Sequence, residues 1–251
     1  MIGHSAEVLI ALFAAHMLGD FLLQTTKDVE NKYKIWVLAR HTGLVALSSW
    51  VFCGLWSNWF IPAGIFFAHG LIDFIKSRLV KDGLITFIID QLAHFIVLVI
   101  MARLVVSLYL PGPGFWVDLF GIGFLKFLIV FSGLTMVTRV GGFLIGYMLR
   151  PMEKELEDAV KKQPEPAVFR GLTNGAMLIG QLERALILIF FLAGQSGGIG
   201  FLIAAKSIFR YGEVKNRTDK MTAEYIIIGT LMSFGFGILV AVLTKMVLGT
   251  I

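Results

Sequence analysis

The sequence sets histidine and aspartate four residues apart three times: His16 with Asp20 in HMLGDFLLQ, His69 with Asp73 in HGLIDFIK, and Asp90 with His94 in DQLAH. Residues at this spacing on a helix share one face and lie one turn apart. Each pair can grip one metal ion, or the pairs together can flank two. A further histidine, His41, follows Arg40 in ARHTG. Four imidazoles and three carboxylates suit zinc, with iron or manganese fitting a two-metal arrangement of the same donors. Calcium and magnesium take oxygen ligands and would not call for imidazole. The expected cofactor is therefore a divalent metal, zinc first, held by His16, Asp20, His69, Asp73, Asp90 and His94. His41 is expected as the catalytic general base or as a further ligand. Gln24, Lys76 and Gln91 adjoin these motifs and are expected to support the ligands or to snorkel. His4 stands apart, and no role is expected for it.

Such residues need elements that carry them into an apolar interior. Of the 251 residues 57% are apolar and 16% charged, with mean hydropathy +0.82. A soluble domain averages about 45–50% apolar and about 25% charged. Apolar stretches near bilayer-spanning length recur, so the expected fold is an all-α, polytopic transmembrane bundle of about seven or eight segments. The expected spans are Glu7–Thr26, Ile35–Leu55, Trp59–Val80, Leu84–Leu108, Phe115–Leu149 as one long helix, and Glu224–Leu248. Two shorter stretches, Ala185–Gly194 and Ile199–Phe209, read as a hairpin or half-spans. The polar segment Arg150–Arg170 reads as a surface helix and linker. The domains are then 1–150, carrying the His/Asp motifs, 151–172 as cytoplasmic linker, and 173–251 as hairpin and final helix. No cleavable leader is expected, because the first apolar stretch carries His16 and Asp20.

Alternate loops are basic. Lys27, Lys32, Lys34 and Arg40 lie in one, Lys76, Arg78 and Lys81 in the next, and Lys206, Arg210, Lys215 and Arg217 in a later one, whereas the loops around Ser57, Pro111 and Gln195 lack Lys and Arg. The positive-inside rule puts the basic loops in the cytoplasm, and the net charge of +5 reads as membrane orientation with no nucleic-acid partner. In this register Asp20, His41, Asp73 and Asp90 each lie about 10 Å from a cytoplasmic helix end. His precedes Asp on the descending helices and follows it on the ascending one, so the order keeps one layer. A charge within a span costs at least about 2.5 kcal/mol, and three neighbouring carboxylates repel one another unless a cation joins them. The alternative is that each His–Asp pair is an interhelical hydrogen-bonded clamp.

Cys53 is the single cysteine, which excludes an intrachain disulfide framework and a Cys-rich zinc site. Phosphate-binding loops, H-E-x-x-H, G-x-S-x-G and dinucleotide fingerprints are absent. In the second half, Arg184, Lys206 and Arg210 are expected either to hold an anionic group such as phosphate or to pair with Glu183, Glu213 and Glu224 and snorkel at the interface.

The segments H16-x-x-x-D-F-x-x-Q, R40-H, H69-x-x-x-D-F-x-K and D90-Q-x-x-H, with KSIFR (Lys206–Arg210) and EYIIIGTLMSF (Glu224–Phe234), resemble a family of bacterial membrane proteins described only as a domain of unknown function. The likeness is expected over most of the chain. The His/Asp pattern of the first half is also loosely similar to small membrane proteins named as metal-dependent hydrolases. The expected function is a membrane-embedded, metal-dependent hydrolase near the cytoplasmic leaflet of the bacterial inner membrane. Its partners would be membrane lipids, and its substrate a lipid or small amphiphile, phosphorylated forms included. The alternative is a transporter or channel for a metal ion or protons, since intramembrane His and Asp also serve ion pathways. Against that stand the one-sided depth of the polar residues and the lack of an inverted repeat. Haem needs no Asp beside each His.

Overall fold

The structure is a computed structural model describing residues 3–109, 112–161, 175–208 and 217–251. Among these residues every regular element is helical. In order they are α1 (His4–Leu18), which continues as a π-helical turn over Gly19–Leu23, α2 (Thr26–Glu30), α3 (Ile35–Cys53), α4 (Phe60–Leu79), α5 (Leu84–Tyr109), α6 (Phe115–Phe120) and α7 (Ile122–Thr135). A second π-helical turn, Met136–Val140, leads into α8 (Gly141–Lys161), followed by α9 (Gly175–Leu192), α10 (Ser196–Ile208) and α11 (Arg217–Gly249). Among the described residues, seven helical runs are long and apolar enough to cross a bilayer: His4–Leu23, Ile35–Cys53, Phe60–Leu79, Leu84–Tyr109, Ile122–Ala159, Gly175–Leu192 and Lys220–Gly249.

The chain divides into two compact units, Met1–Thr135 with Met246–Ile251, and Met136–Lys245. In the first unit α1 packs on α3 and α5, α3 on α4, and α4 on α5, so four helices close a ring. Helix α7 packs on the outside of α1. One end of the ring's core is apolar, with Leu12, Val45, Ile61, Ile65, Leu98, Val105 and Leu128 buried together. Its outer faces expose Phe67, Leu79, Ile85 and Leu92, as a bilayer solvent allows. Helix α3 stops at Gly54, whose φ of +63° is the left-handed cap that glycine adopts without strain. Between α1 and α3 the chain leaves the π-turn extended, and Thr25 caps α2 in a reciprocal box with Asp28. The backbone N–H and hydroxyl of Thr25, with Arg40 beside them, hold the Asp28 carboxyl below the usual carboxylate range.

Three expectations about the later helices are corrected. The stretch expected to begin at Ala185 begins at Gly175, so α9 is an 18-residue helix of spanning length. The pair Glu183–Arg184 lies inside it, where charge had signalled a boundary; Arg184 is buried there with hydrogen-bond partners. The long helix from Phe115 is interrupted after α6 by Gly121, at φ +60°. Conversely it does not end at Leu149. Helix α8 runs through Pro151 to Lys161, and the rest of the expected linker, 162–174, lies outside the described residues. The expected boundary near residue 150 thus falls within α8. Helix α10 is short, as its apolar length implied.

Candidate metal centre

The ring of α1, α3, α4 and α5 carries every His and Asp of the three motifs. His16 comes from α1 and Asp20 from the π-turn that continues it, His41 from α3, His69 and Asp73 from α4, and Asp90 and His94 from α5. Small residues bring these helices close beside the donors. A Cβ on Gly19, next to Asp20, would sit 2.6 Å from Val45 Cγ2 on α3. One on Gly70, next to His69, would sit 3.2 Å from Thr42 Cγ2, next to His41. Gly19→Ala is therefore expected to lower stability by about 1–3 kcal/mol through overpacking. A thermal-unfolding series in detergent checks this; an unchanged midpoint would mean that α1 and α3 tolerate separation.

Six of the seven residues are buried, His94 and Asp73 at 1% exposure, and Asp20 is intermediate with its side chain 8% exposed. Two nitrogens and two oxygens from four of them converge. His41 Nε2 and His69 Nε2 are 3.1 Å apart. Asp20 Oδ1 lies 3.4 Å from the first and 3.3 Å from the second. Asp73 Oδ2 lies 3.3 Å from both. The four atoms thus form two triangles sharing an edge. A tetrahedral ion bound at about 2.0 Å has donor–donor edges of about 3.3 Å, so each triangle has the dimensions of one face of such a site. Two further trios, His16–Asp20–His69 and Asp73–Asp90–His94, offer donors all within 4.8 Å of one another.

The hydrogen bonds around the cluster leave lone pairs bare. His94 Nδ1 donates to the Asp90 backbone carbonyl at 2.8 Å, so in the neutral ring Nε2 is the acceptor nitrogen, and it has no hydrogen-bond partner. His16 Nε2 donates to Gln91 Oε1 at 3.3 Å, and its Nδ1 is likewise bare and unpartnered. That Nδ1 faces Asp20 Oδ1 at 3.7 Å, and this oxygen also lacks a hydrogen bond despite the nearby imidazoles. Asp90 divides its oxygens: Oδ2 accepts from Lys76 at 2.7 Å and from Gln91 at 3.0 Å, while Oδ1 is buried without a partner. Bare lone pairs facing one another out of water repel, and a cation among them removes the penalty. An imidazole whose second nitrogen is fixed by a hydrogen bond is the usual companion of a metal ligand. The donor set fits a divalent metal on these grounds.

The expected residues are brought together by the fold, with three refinements. His41 joins the donors through Nε2 and does not stand apart from them. Lys76 and Gln91 brace Asp90, whereas Gln24, at the end of the π-turn, has a buried Nε2 without a partner among the described residues. Lys32 had been read only as a loop base. It is buried, with Nζ 2.7 Å from Asp73 Oδ2. Its spacing from the motifs carries no signal, because it reaches the site through the fold of the α2–α3 connection. Among the anion-binding candidates, Arg184 donates to the carbonyls of Val137 and Thr138 and to Ser233 Oγ, and Lys206 pairs with Glu183 at 2.6 Å. Arg210 lies outside the described residues. Cys53 is buried in the apolar core, and His4 pairs with Glu7 at the surface.

Residues 8–111 match the model of a family described as "Protein of unknown function (DUF3307)". The match takes in all seven donors with Lys32, Lys76 and Gln91, and stops before the later stretches in which a likeness was also expected. No curated protein and no solved structure matches the chain.

Proposed function

We propose that this protein is a membrane-embedded, metal-dependent hydrolase. Its site opens toward the cytoplasmic leaflet of the bacterial inner membrane, and its substrate is a lipid or small amphiphile carrying a hydrolysable, phosphorylated or otherwise anionic headgroup. The observation that carries this reading is the set of bare donor atoms, His16 Nδ1, His94 Nε2, Asp20 Oδ1 and Asp90 Oδ1, buried together beside the His41–His69 nitrogen pair. A bound divalent ion, zinc first and iron or manganese on the same donors, would supply Lewis acidity and a water of lowered pKa. The chain's own residues then divide the remaining work. Gln91 fixes the His16 tautomer and, with Lys76, the Asp90 carboxylate; Lys32 offsets the charge of Asp73. Lys76 is one-third exposed while its ammonium touches the buried Asp90, which supports entry from the basic-loop side. The positive-inside rule supports the cytoplasmic orientation.

The test is elemental analysis of detergent-purified protein, followed by hydrolysis of phosphorylated and ester amphiphiles before and after chelation. One or two equivalents of metal are expected, absent from an Asp73→Ala/His94→Ala variant, with a chelator-sensitive activity that the metal restores. Metal-free protein would overturn the reading. One observation favours a second one. Six of the seven donor residues are buried and the Asp20 side chain is 8% exposed, as suits an ion held in transit, so flux of zinc or protons through proteoliposomes without hydrolysis would support a transporter.

A further inference from the structure

We infer that the cluster comprises two unequal metal positions, one closed by protein and one open to an oxyanion; this rests on the metal-dependent reading above. The closed position is the set His41, His69, Asp20 and Asp73. Its two triangular faces, with edges of 3.1–3.4 Å, offer four protein donors from three segments of the ring. An ion seated on the shared His41–His69 edge and taking both carboxylates would have four protein ligands and, if tetrahedral, no vacancy, which is the pattern of a structural site. The open position is made by His94 Nε2 and Asp90 Oδ1, with Asp73 shared; these residues offer donors within 4.8 Å of one another. Three protein donors leave one vertex for water or substrate, which is the pattern of a catalytic site.

The bracing on the two sides differs accordingly. At the open position both donors are oriented by bonds through their other atoms: His94 through Nδ1 to the Asp90 carbonyl, and Asp90 through Oδ2 to Lys76 and Gln91. Neither bond occupies the atom aimed at the ion. At the closed position the donors hold one another. His16, with its bare Nδ1 3.7 Å from Asp20 Oδ1, adds a further donor beside that carboxylate.

Charge identifies what the vacant vertex accepts. Three carboxylates against the ammonium groups of Lys32 and Lys76 leave one formal negative charge, and two divalent ions turn this into three positive charges. Uncompensated charge at this depth is costly, so a dianionic phosphoryl group is the complementary ligand. Its two sources are distinguished by assay: a free phosphate binds from solution, whereas an amphiphile's headgroup requires micelles or bilayer.

The experiment is a cobalt(II) titration of the metal-stripped, full-length protein in detergent, read by visible absorption and by equilibrium dialysis. Two equivalents are expected. The first gives the intense bands of tetrahedral cobalt and does not respond to inorganic phosphate; the second gives weaker bands that shift with phosphate. His94→Ala should fall from two equivalents to one, keep the tetrahedral bands and lose the phosphate response. His41→Ala should lose the tetrahedral bands. If His94→Ala fails to fold, the phosphate response of the unmodified protein still decides. A single equivalent, or a phosphate shift in the tetrahedral bands, overturns the two-position inference and leaves the metal-dependent reading standing. Zero equivalents overturns both.

Discussion

Asp73→Ala is expected to lose metal binding by more than about 100-fold, beyond the upper end of what removing a ligand's outer support costs. Asp73 earns this rank by position. Its Oδ2 lies 3.3 Å from both His41 and His69, and it also belongs to the trio with Asp90 and His94. Among the described residues, Asp73 is shared between the trio with His41 and His69 and the trio with Asp90 and His94. The same substitution has a second consequence, separable with chelator. Lys32 Nζ lies 2.7 Å from Asp73 Oδ2, and both groups are buried. Removing the carboxylate strands an ammonium out of water, which costs about 3–5 kcal/mol. Chelated Asp73→Ala should therefore unfold earlier than chelated unmodified protein. A Lys32→Met/Asp73→Ala double variant should regain most of that stability while still binding no metal. The opposing effect is relief of repulsion between Asp73 and Asp20, and it has the opposite sign. If chelated Asp73→Ala is the more stable protein, repulsion outweighs the lysine, and the site depends on its metal for folding as well as chemistry.

The three His–Asp pairs were legible because the helical period converts a spacing of four into a shared face. His41 was legible as a polar residue in the same layer. That its Nε2 would face His69 at 3.1 Å follows from how α3 crosses α4, which no local pattern encodes. Asp20 shows a subtler limit. The sequence implied one continuous α-helix from His16, but the chain widens into a π-turn at Gly19–Leu23, a departure common where a side chain must be re-aimed. Lys32 was invisible for a different reason. A lysine in a basic loop normally faces water, and only the packing of that loop against α4 makes it a partner of Asp73. The reading of α9 failed where charge was treated as a boundary. A buried arginine satisfied by carbonyls violates that rule at no local cost to the helix.

Arg184→Met should produce the largest loss of stability in the second unit, about 2–4 kcal/mol, and leave the metal content unchanged. The reason lies in the π-turn at Met136–Val140. Such a turn shifts the backbone bonding pattern and frees carbonyls that an α-helix would pair. Arg184 supplies donors to two carbonyls of this stretch, Val137 and Thr138, at Nε and Nη2 respectively, and a third donor to Ser233 Oγ at 2.9 Å. The space is reserved for it. A Cβ on Gly141 would lie 3.1 Å from Arg184 Nε, and one on Gly180 3.2 Å from Nη1. Methionine fills comparable length without donors and removes these hydrogen bonds, at about 1–3 kcal/mol each where an acceptor is left unsatisfied, partly recovered because membrane hydrogen bonds average less. Lysine in the same place offers a single charged centre in place of a planar fork and should rescue only part of the loss. Unfolding midpoints of the three proteins, with metal analysis on each, decide the matter. An unchanged midpoint with a raised KM for an anionic amphiphile would mean that Arg184 serves the substrate instead, restoring the anion-binding role its charge first suggested.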